Sequence, residues 1–367
     1  MDFRLLGWNA HWRDLFASYA SKSLSPGRVV SEHRGAYVVE TEPGTRGAVL
    51  GGRLRHQTTT RSALPAVGDF VAVRLSVGES GDGPAVIDAV LPRRTAFVRR
   101  AAGTRSDDQV IAANVDVVFV MVGLDHDFNL RRVERYLAAV WDSGATPVIL
   151  LNKADLCEEL DARIEDLRRT GMGVPGLALS ALHSDGLEAL RSYMHEGVTA
   201  GVVGSSGVGK STLLNRLLGR EVQATAGVRS HDSRGRHTTT HRELFVLPEG
   251  GIVIDTPGMR EFQLSASNEV SAHSNAGGVE TVFGEIERLA ERCRFADCAH
   301  QGEPGCAVRE AVDQGRLPAD RLASYEKLMK ELRYEEARLD PSARDERKRV
   351  GRIGTKAARR MYRERQR

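Results

Sequence analysis

Gly204-Ser205-Ser206-Gly207-Val208-Gly209-Lys210-Ser211-Thr212 reads G-x-x-x-x-G-K-S, the pattern of a phosphate-binding loop. An apolar run, Val198-Thr-Ala-Gly-Val-Val203, precedes it and has the pattern of a buried strand. Leucines 213, 214, 217 and 218 follow at helical spacing. Strand, loop and helix in that order are what the motif needs. Glycines let the backbone N–H groups turn inward on phosphate oxygens, and the helix N-terminus adds a favourable dipole. Lys210 is placed to meet the β- and γ-phosphates and Ser211 to hold Mg²⁺.

Working outward, the same α/β pattern carries three more motifs. Strand-like runs at 115–122, 146–151 and 176–180 alternate with helical stretches at 130–141, 158–170 and 186–196, which predicts a parallel sheet covered on both faces. Asn152-Lys153-Ala154-Asp155 stands just past the second run and fits N-K-x-D. The Asp155 carboxylate can accept from guanine N1–H and N2–H₂, whereas adenine leaves it unpaired. Asn152 would tether the loop, and Lys153 would lay its stem along the base. Ser180-Ala181 fits the supporting loop whose alanine N–H meets guanine O6. After a β-ribbon over 242–255, Asp255-Thr-Pro-Gly258 fits D-x-x-G, with Asp255 directed at Mg²⁺ through water and Gly258 N–H at the γ-phosphate. Other GTPases begin with the phosphate loop; here N-K-x-D and S-A precede it, so the domain reads as circularly permuted. The stretch after Asp255 then runs straight into the C-terminal part of the chain.

Upstream, residues 3–20 carry Leu6, Trp8, Trp12, Leu15, Phe16 and Tyr19 on one helical face. That face predicts a helix packed on the next domain, since its polar side is not strongly basic. Five short strand-like runs follow between 27 and 90, separated by Gly- and Pro-containing turns, which is the size of an OB-type β-barrel. Arg53, Arg55, His56, Arg61, Arg93, Arg94, Arg99 and Arg100 punctuate it. RNA binding and a structural barrel with solvated charges are both compatible with that pattern.

Downstream, Cys293, Cys298, His300 and Cys306 form C-x₄-C-x-H-x₅-C. Three thiolates and one imidazole make a closed tetrahedral Zn²⁺ set with no open position, hence structural. A small helical domain with little core of its own would draw about 10 kcal/mol or more of folding free energy from such a metal. Helices are expected over 306–315 and 318–339. Residues 341–367 are then rich in arginine, either a solubilising tail or an arm for RNA phosphates. The net charge of +3 conceals this basic end. No apolar run approaches membrane-spanning length and no apolar leader opens the chain, so a cytoplasmic protein without a membrane partner is expected.

Together the motif order, Gly235-Arg-His-Thr-Thr-Thr240, Asp255-Thr-Pro-Gly-Met-Arg-Glu-Phe262 and the metal pattern resemble the RsgA (YjeQ) family, over nearly the whole chain. That resemblance implies an N-terminal OB domain, a central permuted GTPase domain and a C-terminal zinc domain. It implies hydrolysis of GTP to GDP and phosphate, slow alone and stimulated by the small ribosomal subunit, in late subunit assembly and rRNA maturation. Boundaries are expected at 1–104, 105–264, 265–340 and 341–367, in a monomer. Met259 occupies the position where many GTPases place a water-orienting Gln, so His237 is the candidate for that role, with Thr239 on Mg²⁺. Two other functions suit the same motifs: a GTPase acting on tRNA, and an assembly chaperone holding nucleotide only as a structural ligand.

Overall fold

The computed structural model describes residues 2–20, 22–33, 35–58, 60–75, 83–100, 108–125, 128–169, 173–221, 242–255 and 277–339. β1 (Ser25–His33), β2 (Ala36–Thr41), β3 (Gly44–Leu50), β4 (Phe70–Arg74) and β5 (Ala85–Val90) close into a barrel. β1 is antiparallel to both β2 and β4, β2 to β3 and β4 to β5, and β3 runs parallel to β5. Val29, Val39, Val71, Val73 and Ile87 fill it. The N-terminal segment is broken at Gly7 into a 3-10 turn (Phe3–Leu6) and α1 (Ala10–Ala20). Trp12 and Phe16 of α1 bury themselves with Phe70 on the outside of the barrel.

Beyond a short helix, α2 (Gly52–Gln57), and a ribbon of β6 (Ala96–Arg100) with β7 (Asp108–Ala113) that was not read from the sequence, the parallel sheet begins. Its strands are β8 (Val117–Gly123), β9 (Thr146–Asn152), β10 (Gly176–Leu179), β11 (Thr199–Gly204) and β13 (Ile252–Asp255), in the order β10-β9-β8-β11-β13. β12 (Arg242–Val246) adds antiparallel to β13. Alternate residues face opposite layers, which is why these strands are apolar throughout. Val118 and Val120 of β8 lie under α3 (Leu130–Asp142), while Phe119 and Met121 lie under α5 (Lys210–Leu218). α4 (Leu160–Arg169) packs with the α3 layer. The helix expected at 186–196 is a 3-10 segment, Leu187–Ser192, entered through left-handed Gly186.

Two junctions join these parts. β12 pairs with barrel strand β1 at Ser31↔Glu243 and Glu32↔Arg242, so barrel and parallel sheet are one continuous eleven-stranded sheet among the described residues. Arg28 of β1, 1% exposed, donates to the Leu6 carbonyl, the Gly68 carbonyl and Thr199 Oγ1, tying the N-terminal turn, the barrel and β11 together. Burial pulls its pKa down to about 10.

The C-terminal helices are α6 (Gly278–Val282), α7 (Gly284–Ala290), α8 (Ala307–Asp313) and α9 (Ala319–Leu339). Their apolar side chains, Val279, Phe283, Ile286, Val308, Leu322 and Leu328, belong to the same cluster as Val133 and Leu137 of α3. The C-terminal helices therefore complete their core against α3 of the sheet domain. At Gly278 the backbones touch, and a Cβ there would sit 1.9 Å from the Ala138 carbonyl oxygen. Among the described residues no helix is long and apolar enough to cross a membrane.

Candidate functional site

The C-terminal ends of β9, β10, β11 and β13 open on one rim, because those strands are mutually parallel. Gly204–Ser211 curls there between β11 and α5. Gly204 has φ +149° and Gly209 φ +106°, values closed to most side chains. A Cβ on Gly204 would stand 2.3 Å from the Met121 carbonyl oxygen. Lys210 Nζ points back over the loop, donating to the Gly204 carbonyl at 2.7 Å and to that of Ser205.

Asn152 connects three of the sequence motifs. Its Nδ2 donates to the Val208 carbonyl at 2.7 Å, and its Oδ1 accepts from Ala181 N–H at 2.9 Å. The side chain is 3% exposed, so both bonds are shielded from water. Phosphate loop, N-K-x-D and S-A loop thus meet at one amide. Lys153 adopts φ +64° and pairs with Asp125, which stands two residues beyond the end of β8. Asp155, in the 3-10 turn Ala154–Leu156, faces His183 Nε2 at 3.7 Å. Ser180, buried, closes the loop through reciprocal backbone bonds with Asp185, and its Oγ accepts from His183 N–H. Asp125 and His183 escaped the sequence reading; only their position just past strand ends could have marked them. Arg132 escaped it too, since on α3 it looks like an ordinary solvated charge.

Asp255 closes β13, beside β11. Ser211 and Thr212 lie in the first turn of α5. Ser206 and Gly207 lie in the loop itself. Gly258, His237 and Thr239 lie outside the described residues, as do 341–367.

A second site lies between α7 and α8. The ligand atoms of Cys293, Cys298, His300 and Cys306 all fall within 4.8 Å of one another. Cys293 Sγ is 3.9 Å from Cys306 Sγ, and His300 Nδ1 is 3.7 and 3.4 Å from those two sulfurs. Zn–S bonds of about 2.3 Å require tetrahedral S···S edges of about 3.8 Å, so the cluster fits that metal. His300 reaches in from a left-handed backbone, φ +60°. The Glu303 carboxylate accepts from the N–H groups of Ala299, Gln301 and Gly302, which stiffens the loop carrying it. Its own backbone N–H first, and then those of Ala299, Gln301 and Gly302, hold the Glu303 carboxyl below its ordinary pKa.

Comparison with known proteins agrees with this geometry. Residues 90–265 match the RsgA GTPase family model. A small ribosomal subunit biogenesis GTPase RsgA of Opitutus terrae is 49% identical over 359 residues, 96% of each chain. Its namesake in Streptomyces coelicolor is 45% identical over 363 residues, 96% of this chain and 93% of the relative. Among solved structures, YjeQ from Thermotoga maritima superposes with a TM-score of 0.59 at 28% identity, covering 84% of this chain and 98% of its own. YloQ, a circularly permuted GTPase, superposes at 0.57 with 23% identity, over 84% and 95%, a likeness of fold.

Proposed function

The chain belongs to the RsgA family of GTPases, and from that premise we propose that it hydrolyses GTP to GDP and phosphate while acting on the assembling small ribosomal subunit and its rRNA. The observation that carries this is the Asn152 amide, which holds Val208 of the phosphate loop and Ala181 of the guanine loop at once. That arrangement serves a nucleotide with both a guanine and a phosphate tail.

In this reading Asp155 accepts from guanine N1–H and N2–H₂, Lys153 flanks the base and Ala181 N–H meets O6. The N–H groups of Ser205 through Thr212 surround the phosphates, and Lys210 turns from the loop carbonyls to the β- and γ-oxygens. Ser211, Asp255 and Thr239 would hold Mg²⁺, which neutralises charge on the transferred phosphoryl group. The Gly258 N–H would meet the γ-phosphate, and His237 would orient the attacking water. Cys293, Cys298, His300 and Cys306 would hold one structural Zn²⁺. The division into barrel (1–104), GTPase (105–264), zinc (265–340) and basic tail (341–367) serves the same scheme. Barrel and tail would then offer phosphate contacts on either side of the GTPase, in a monomer working in the cytoplasm.

The test is GTP turnover by the full chain with purified small subunits, large subunits and tRNA side by side. Stimulation by small subunits, lost in His237→Ala with GTP affinity retained, is expected. Stimulation by tRNA or large subunits alone would transfer the protein to another partner.

A further inference from the structure

Helix α3 touches the phosphate loop and the C-terminal helices through neighbouring side chains. Arg132 Nη1 donates to Ser205 Oγ at 2.5 Å, and Ser205 is the second residue of the loop. The Arg132 backbone N–H is held by the capping Asn129 Oδ1 at 3.1 Å. One residue earlier, Arg131 pairs with Asp320 of α9 at 2.7 Å; one turn later, Arg135 pairs with Glu331 at 2.8 Å.

These contacts form two layers. The inner layer is the Glu134–Arg321 pair, buried and continued to Glu285 and the Val282 carbonyl. The outer layer spans a groove of about 440 Å³ lined by Asn129, Arg131, Arg132, Arg135, Asp320 and Lys327. Ala323 and Leu328 of α9 floor the groove, while the ion pairs across its mouth are partly exposed, 67% at the Asp320 side chain. Exposed pairs are weak and exchange readily. Arg131 bridges the two layers, since it also bonds Glu134, so a change at Asp320 or Glu331 of α9 reaches the residues that flank Arg132 on α3.

Ser205 is held from two directions: Arg132 donates to its hydroxyl, and Lys210 donates to its carbonyl. Lys210 is the side chain read above as the partner of the β- and γ-phosphates. Anything that shifts the first turn of α3 moves Arg132, then Ser205, and so alters how firmly the loop carbonyls retain Lys210.

We propose that Arg132 is a positioning residue for the nucleotide loop, and that α3 is the element through which the C-terminal helices set that loop. The inference rests on reading Gly204–Ser211 as the GTP site. Small subunits gripping the C-terminal helices would then adjust phosphate binding without touching the nucleotide.

A double-mutant cycle on the full chain tests it, reading the Kd of a fluorescent GTP analogue. Arg132→Ala and Ser205→Ala should each weaken binding about five-fold, and the double variant no more than either alone, since both remove one contact. Arg132→Lys, which keeps a donor, should recover part of the loss. Asp320→Asn combined with Glu331→Gln should shift Kd about two-fold in the parent and leave it unmoved in the Arg132→Ala background. Multiplying effects of Arg132→Ala and Ser205→Ala, or an equal α9 effect in both backgrounds, would overturn the coupling while leaving the GTP site in place. A parent chain that binds no GTP would overturn both.

Discussion

Glu134 of α3 and Arg321 of α9 are bonded at 2.7 Å with side chains 0% and 4% exposed, a buried ion pair between elements 187 positions apart. Arg321 is shared with Glu285 and the Val282 carbonyl, and its ring-facing side lies 4.8 Å over Phe283. Burial works against its charge, but the bonds to Glu285 and the charge of Glu134 raise its pKa above the ordinary value. Removing Glu134 takes one of two carboxylates from a buried guanidinium and leaves it Glu285 alone. Glu134→Ala should cost about 3 kcal/mol of unfolding free energy, measured by urea titration. A variant as stable as the parent would mean the pair is solvated in solution.

Gly278→Ala tests the adjoining seam. Its Cβ would meet carbonyl oxygen Ala138 at 1.9 Å, backbone against backbone, so neither side can yield by changing rotamer. Separation of α6 from α3 should cost about 3 kcal/mol and appear as a lower melting temperature. An unshifted melt would mean that α6 does not dock there.

Asn152→Ala should weaken GTP binding by about ten-fold or more, because it leaves the Val208 carbonyl and the Ala181 N–H without their buried partner. Isothermal titration with GTP reads the change. The melting temperature should fall as well, since each orphaned buried group costs about 1–3 kcal/mol of stability.

Asp155→Asn exchanges an acceptor for a donor opposite guanine N1–H. GTP affinity should fall by a few kcal/mol, about a hundred-fold, with preference moving toward the xanthine nucleotide. Competition between the two nucleotides measures it. Unchanged preference for guanine would remove Asp155 from base reading.

Metal analysis should find one Zn²⁺ per chain. Cys298→Ala or a chelator should release it, with loss of helical circular dichroism. Because α6 to α9 share their core with α3, the melt of the whole sheet domain should move down as well, rather than a separate small transition appearing. A zinc-free chain with parent stability would overturn the assignment.

Legibility from sequence followed the range of the physics. The phosphate loop was readable because its chemistry is local: Gly204 and Gly209 are needed where they stand, whatever packs around them. The metal cluster was readable for the same reason, four ligands within fourteen positions. The barrel strands and the alternating α/β runs showed in their periodicity. What could not be read depends on distant partners. Arg28 sits in a strand that looks amphipathic, and nothing in its neighbours announces a carbonyl from Leu6 and a hydroxyl from Thr199. Arg132 has the spacing of a surface charge until Ser205 is brought to it. The β6–β7 ribbon pairs Arg99 with Gln109 across a stretch without turn-forming pattern strong enough to predict it.

The continuity of β1 with β12 has a mechanical consequence. Arg242 stands two residues after Thr240, and its guanidinium is held by Glu32 of the barrel at 3.0 Å. The start of β12 is therefore moored to the barrel, as a belt is to its buckle. A load applied to the barrel travels along one strand and arrives at residue 242, whereas a load applied to α9 arrives at Ser205. Barrel and C-terminal helices thus bear on two different elements, β12 and the first turn of α3.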